Sequence, residues 1–212
     1  MQQLTDWIVQ HDREFLTALG RHVSMSVLSL AIAFLIGLAL AAAVVGRPKI
    51  AFVVINVASG LRTFPSLAVL ALTVPVMGIG VVPAIIALTV LALPAILLNG
   101  YVGLRDADPD AVDAAVALGM RWHQVMRKVR LPLAAPAIFA GGQTATIQVI
   151  SGATLAPFIG AGGLGDYIVT GIGTLDVPTL LIGAIPIAIL ALGAELLLSS
   201  LERKYFAREH LP

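Results

Sequence analysis

The chain has 212 residues, of which 58% are hydrophobic and only 12% charged, with a net charge of +1. Soluble globular domains carry about a quarter charged residues, so composition excludes a soluble fold, and the small net charge points to neither nucleic acid nor an acidic substrate. Cysteine is absent, which removes disulfides and thiolate metal sites.

Residues 1–22 are mixed and polar and lack the basic start, short apolar core and cleavage site of a secretory signal. Residues 1–19 read as an extracytoplasmic amphipathic segment, with Trp7, Ile8 and Phe15 on its apolar side. A bilayer core about 30 Å thick needs about 20 apolar residues in a helix. Five stretches qualify: residues 23–45, 50–76, 81–104, 133–155 and 178–201. The second holds Arg62 and Pro65, the latter predicting a kink. The fifth holds Glu195, expected to reach the interface or to pair with a base. The runs are continuous, not alternating, which argues against strands. The expected fold is an all-α membrane protein with five transmembrane helices.

Basic residues orient it, because they concentrate on the cytoplasmic side. Placing the C-terminus inside puts Arg47, Lys49, Arg105, Arg121, Arg127, Lys128, Arg130, Arg203, Lys204 and Arg208 in the cytoplasm. Only Arg13 and Arg21 then lie outside. The expected topology is N-terminus out and C-terminus in, with residues 202–212 as a cytoplasmic tail.

The longest cytoplasmic connection, RDADPDAVDAAVALGMRWHQVMRKVRLP, has its own helix signals. Asp108 is a capping residue and Pro109 suits the first helical position. Gly119 interrupts the pattern, so two short helices joined at a bend are expected. Pro132 is expected to end the second before the fourth span. Ala111, Val112, Ala115, Val116 and Leu118 make the first helix apolar on more than one side, which calls for a partner or an internal groove.

Here the sequence resembles a known family. Asp113-Ala114-Ala115, Gly119, Val129 and Leu131-Pro132 match the spacing of the EAA loop of bacterial binding-protein-dependent import permeases, with Asp113 where Glu is commoner. Leu61-Arg62-Thr63-Phe64-Pro65-Ser66-Leu67-Ala68 resembles the L-Q-T-x-P-S-L-A stretch of permeases for glycine betaine, carnitine and choline, with Arg62 in place of Gln. Gly160-Ala161-Gly162-Gly163-Leu164-Gly165-Asp166 resembles their I-G-A-G-G-L-G-D stretch. The chain is thus similar to the osmoprotectant branch of the type-I ABC importer permeases, with residues 20–201 as the permease domain and 108–132 as the EAA loop. Methionine permeases share the short five-span plan and remain an alternative.

The resemblance implies partners. A cytoplasmic ATPase dimer would bind ATP and Mg and dock on the EAA loop, leaving no cofactor in this chain. A second permease, identical or homologous, and an extracytoplasmic substrate-binding protein would complete the assembly. The sequence agrees on one point: it has no G-x-x-x-x-G-K-[ST] loop. Gly160 to Gly165 spell G-x-G-x-x-G, but after a membrane span and without βαβ context. Gly160, Gly162, Gly163, Gly165 and Asp166 instead suggest a tight outer turn into a short helix capped near Asp166, serving a gate or a docking surface.

Polar residues within spans are the remaining candidates. Thr63, Pro65 and Ser66 flank the expected kink, and Thr144, Gln148 and Ser151 fall on one helical face of the fourth span. They can line a translocation pathway or hydrogen-bond between helices. Arg62 reads as structural, because a fixed positive charge repels a quaternary ammonium ion. An ion-coupled secondary transporter is the rival from another class, and it normally needs paired ionisable groups at the midplane. Arg62 and Glu195, on different spans, are the only candidates. No nucleophile–His–acid set and no metal-spaced cluster is present, so an enzyme is not expected.

Overall fold

The computed structural model describes residues 12–206, and every regular element among them is helical. Trp7, Ile8 and Arg208 lie outside the described residues. The helices are α1 (Asp12–Val44), α2 (Pro48–Leu61), α3 (Ser66–Met77), α4 (Val81–Arg105), α5 (Pro109–Ala117), α6 (Trp122–Val125), α7 (Leu131–Gly152), α8 (Gly165–Thr174) and α9 (Val177–Phe206). A π-helical turn, Met126–Arg130, joins α6 to α7, and a 3₁₀ segment, Ala153–Ile159, extends α7.

Four helical runs are long and apolar enough to cross a membrane, or up to five if the bent pair α2–α3 counts as one. That pair replaces the single kinked span expected over 50–76: the two halves meet at 99°. The first helix also starts earlier than its hydrophobic run, at Asp12. Phe15, expected on an outer amphipathic face, packs instead with the cluster around Ile150, Leu164 and Ile187. Burial against the bundle is worth more to this ring than a membrane surface, because neighbouring helices offer close-packed contacts.

Helix α4 is the hub. It is the most buried of the candidate spans, and α9 is the least. Its buried Leu88, Ala92, Ala95 and Ile96 form one core with Met25 and Ala33 of α1 and Ala145 and Val149 of α7. Lipid tails are as apolar as leucine, so helices in a bilayer associate through close approach and polar contacts. Both occur here. A Cβ on Gly141 would lie 2.7 Å from Asn99 Cβ and 3.0 Å from the Ala95 carbonyl oxygen, so α7 meets α4 backbone to backbone. The Ser29 hydroxyl donates to the Ile85 carbonyl at 3.1 Å, tying α1 to α4. Buried His22 shares a hydrogen bond of 3.1 Å with the Ile150 carbonyl, tying α1 to α7.

Candidate functional site

Three places hold the residues singled out in the sequence. The first is the break between α2 and α3. The amides of Arg62, Thr63 and Phe64 each reach back three residues, to Ser59, Gly60 and Leu61, which tightens the end of α2. The Thr63 hydroxyl donates to the Gly60 carbonyl at 2.7 Å. Pro65 then stands at φ −58° and ψ 132°, outside the helical region, and opens α3. Proline disfavours helical backbone in the residue before it, so the chain breaks instead of bending.

This break walls a cavity of about 360 Å³, lined by Arg62, Phe64 and Ser66, by Leu91 of α4, and by Gln148 and Ser151 of α7. Ser66, Gln148 and Ser151 are thus brought together from two distant stretches of sequence. Thr63, Pro65 and Thr144 are not in the lining, and the exposed Thr144 bonds to its own helix at Ala140. Phe64 and Leu91 carry no polar signal and were missed in the sequence. The Arg62 guanidinium has no hydrogen bond or ion pair among the described residues. The side chains of Ser66, Gln148 and Ser151 likewise have no hydrogen bond among them.

The second place is the loop between α4 and α7. Asp108 accepts from the Asp110 amide at 2.9 Å and Pro109 follows at the first helical turn, as those residue types require. Gly119 has φ +80°, so the bend needs a residue without a Cβ penalty. Val112 and Ala115 face inward against Val125, with Met120 and Val129 beside them. Asp113, Ala114, Val116, Leu118 and Trp122 face outward. The helix therefore has both an internal groove and an open apolar face.

Pro132 does not end a helix here. The run from Trp122 to Ile159 is continuous. The π turn pairs the Leu131 amide with the Met126 carbonyl, shifting the bonding by one residue just before Pro132. Proline in the first turn of α7 then sits where its missing N–H is tolerated. Leu131 packs partly into the core below α4, while Pro132 is exposed. Arg105 and Asp106 pair at 2.6 Å on the surface, and this hydrogen bond holds the Asp106 carboxyl below its ordinary value.

The third place is the glycine-rich turn. Gly160, Gly162 and Gly163 have φ of 70°, 73° and 104°, a left-handed run that side chains resist. Gly165 is required for space: an added Cβ would overlap the Thr154 carbonyl. Asp166 was expected near the cap of the next helix. The cap is Leu164, and Asp166 stands in the first turn, its amide donating to the Gly163 carbonyl. The chain enters α8 already in helical geometry at Leu164, so no side-chain cap is needed. Asp166 and Arg21 flank Gly162 beside a cavity of about 410 Å³ that also exposes Arg13, Glu14 and Tyr167. Burial pushes the Asp166 carboxyl up, while Arg21 and the Gly163 backbone oppose the shift.

Among the described residues Glu195 makes no ion pair. Its Oε2 is buried without a hydrogen-bond partner among the described residues. The acid that does find a partner on α9 is Glu202, which accepts from Gln143 Nε2 at 3.0 Å. Among the described residues no group of His, Cys, Asp and Glu is arranged to hold a metal.

Comparison with known proteins places this architecture. The choline transport system permease protein OpuBB of Bacillus subtilis (strain 168) is 36% identical over 96% of this chain and 94% of its own length. The glycine betaine/carnitine/choline transport system permease protein OpuCB of the same organism is also 36% identical over 96% and 94%. The osmoprotectant import permease protein OsmW of Salmonella typhimurium (strain LT2) is 34% identical over 86% and 87%. The fold matches the MetNI methionine ABC transporter in an inward-facing conformation, with a TM-score of 0.79, 24% identity, and coverage of 90% of this chain and 95% of that one. At that identity the match speaks for fold alone. Residues 33–207 match the profile of the inner membrane component of binding-protein-dependent transport systems. With its apolar helices and near full-length relatives, the chain belongs to that family and is a multi-pass inner-membrane permease of the ABC importer fold.

Proposed function

We propose that this chain is the membrane subunit through which a quaternary-ammonium osmoprotectant, such as glycine betaine, choline or carnitine, is imported by alternating access. The observation that carries this reading is the near full-length identity to permeases named for those solutes. Methionine is not favoured, since that likeness is one of fold.

ATP and Mg are bound by separate cytoplasmic ATPase subunits, and an extracytoplasmic binding protein delivers the solute. A second permease, identical or homologous, closes the pathway. The bent pair α2–α3 counts as one of five spans, which puts the termini on opposite sides, and the distribution of basic residues sets the N-terminus out and the C-terminus in. That topology places residues 108–132 in the cytoplasm, where the outward face of Asp113, Ala114 and Leu118 meets the ATPase. Ala115, Gly119, Val129, Leu131 and Pro132 hold the helix in its pose. The glycine-rich turn at Gly160, Gly162, Gly163, Gly165 and Asp166 then lies outside, as gate or docking surface. Ser66, Gln148 and Ser151 line the pathway.

The test is reconstitution in proteoliposomes with the ATPase and binding protein. ATP-dependent uptake of labelled glycine betaine or choline is expected. Uptake that continues without hydrolysis, driven by an ion gradient, would sink the proposal. Topology is separately testable because the chain has no cysteine. A cysteine at His123 should react with a membrane-impermeant maleimide only from the cytoplasmic side, and one at Thr174 only from outside.

A further inference from the structure

The polar side chains lining the cavity at the α2–α3 break can all donate hydrogen bonds. Arg62 brings a permanent cation, which a guanidinium keeps under all physiological conditions. Ser66 and Ser151 bring hydroxyls and Gln148 an amide, all of them without a hydrogen bond among the described residues. Ser66 is also the first residue of α3, and the partial positive charge of that helix end has the same sign as Arg62. No aspartate or glutamate stands in the lining. With no counter-charge in the lining, Arg62 can take a solute carboxylate as its partner.

The rest of the lining has the opposite character. Phe64 is half exposed, at 52%, and Leu61, Leu91 and Leu155 complete an apolar wall. An aromatic face attracts a quaternary ammonium. One small cavity thus combines a cationic, donor-rich set of groups with an aromatic, apolar set. Its volume, about 360 Å³, lies within the usual range for small-molecule sites.

We infer that this cavity is a selectivity site for zwitterionic solutes, in which Arg62 receives the carboxylate while Phe64 faces the trimethylammonium group. A solute with both charges satisfies both groups. Choline has the ammonium but no carboxylate, so it meets Arg62 as an unrelieved like charge. The permease should therefore prefer glycine betaine and carnitine to choline independently of the binding protein. This inference rests on the proposed osmoprotectant function.

The experiment compares glycine betaine and choline uptake by the complete reconstituted complex, using a binding protein that accepts both. Stimulation of ATPase activity by the loaded binding protein reports that each variant assembles. Arg62→Gln should lower the betaine-to-choline uptake ratio by roughly tenfold or more, the scale expected for one lost charge-assisted hydrogen bond. Arg62→Lys should retain most of the ratio. An unchanged ratio in Arg62→Gln with intact ATPase stimulation overturns the inference. Should that variant not assemble, the wild-type complex decides. Glycine betaine should protect Arg62 from phenylglyoxal, read by mass spectrometry at that residue, and choline should not. Absence of protection by glycine betaine also overturns it. Wild type that transports neither solute instead refutes the osmoprotectant reading, and the footprint at Arg62 still reports on the site separately.

Discussion

Arg130 donates from Nη1 to the Leu104 carbonyl at 2.7 Å, fastening the exit of the α4–α7 loop to the end of the helix that enters it. The two residues are 26 positions apart, and the bond caps one of the last carbonyls of α4. The loop is therefore clamped at its base. Under the proposed coupling role, a load on α5 passes into α4 and α7 together. Arg130→Ala should leave the protein in the membrane but lower solute moved per ATP hydrolysed. A hydrogen bond to a charged group is worth about 1.5–3 kcal/mol, and loss of stability should stay within that. Normal coupling in Arg130→Ala would remove the clamp from the mechanism.

Gly119 separates conformation from space. Its φ is +80°, yet an added Cβ would meet nothing within 4 Å. Gly119→Ala should therefore cost only the backbone penalty, about 1 kcal/mol, and still insert. Gly119→Asp adds a charge to the outward surface and should abolish ATPase-coupled uptake while the protein is still made and inserted. Wild-type uptake and ATPase stimulation in Gly119→Asp would count against a coupling role for the bend.

Gly165 and Gly173 form a matched pair on α8. A Cβ at Gly165 would run into the Thr154 backbone, whereas Gly173 has open space. Gly165→Ala should destabilise the purified protein by about 1–3 kcal/mol, the usual range for overpacking. Gly173→Ala should be neutral or slightly stabilising, because alanine favours helix. Thermal unfolding in one detergent compares them, and equal melting temperatures would contradict the packing.

Asp108 carries the start of α5 through one bond to the Asp110 amide. Asp108→Ala should cost about 1 kcal/mol and fray the helix that presents Asp113. Hydrogen exchange should rise at residues 110–113 and stay unchanged in α4. Uniform exchange across the loop in both proteins would show that the cap is not needed.

Much of this was legible in the residues. Helix identity followed from the length of the apolar runs, since a membrane core demands intramolecular hydrogen bonding. The start of α5 at Pro109 and the bend at Gly119 followed from local chemistry, because capping and left-handed backbone depend on neighbours in the chain. Boundaries failed where tertiary packing competed with hydropathy. The polar residues after Asp12 are part of α1, where Phe15, Ala18 and Leu19 pack against the cluster of Ile150, Leu164 and Ile187. Pro132 failed as a stop because a π turn absorbed it.

By itself, the sequence determined that this is a helical membrane protein with a capped, bent loop, because hydropathy and backbone conformation are properties of neighbouring residues. Only the tertiary structure decided that the second apolar run breaks at 99° and that Arg62 opens into a cavity with Ser66, Gln148 and Ser151. Residues 62 and 151 line one cavity only because α2–α3 and α7 both pack on α4. A cation's role depends on whether a counter-charge stands beside it in space, and chain order carries no such information.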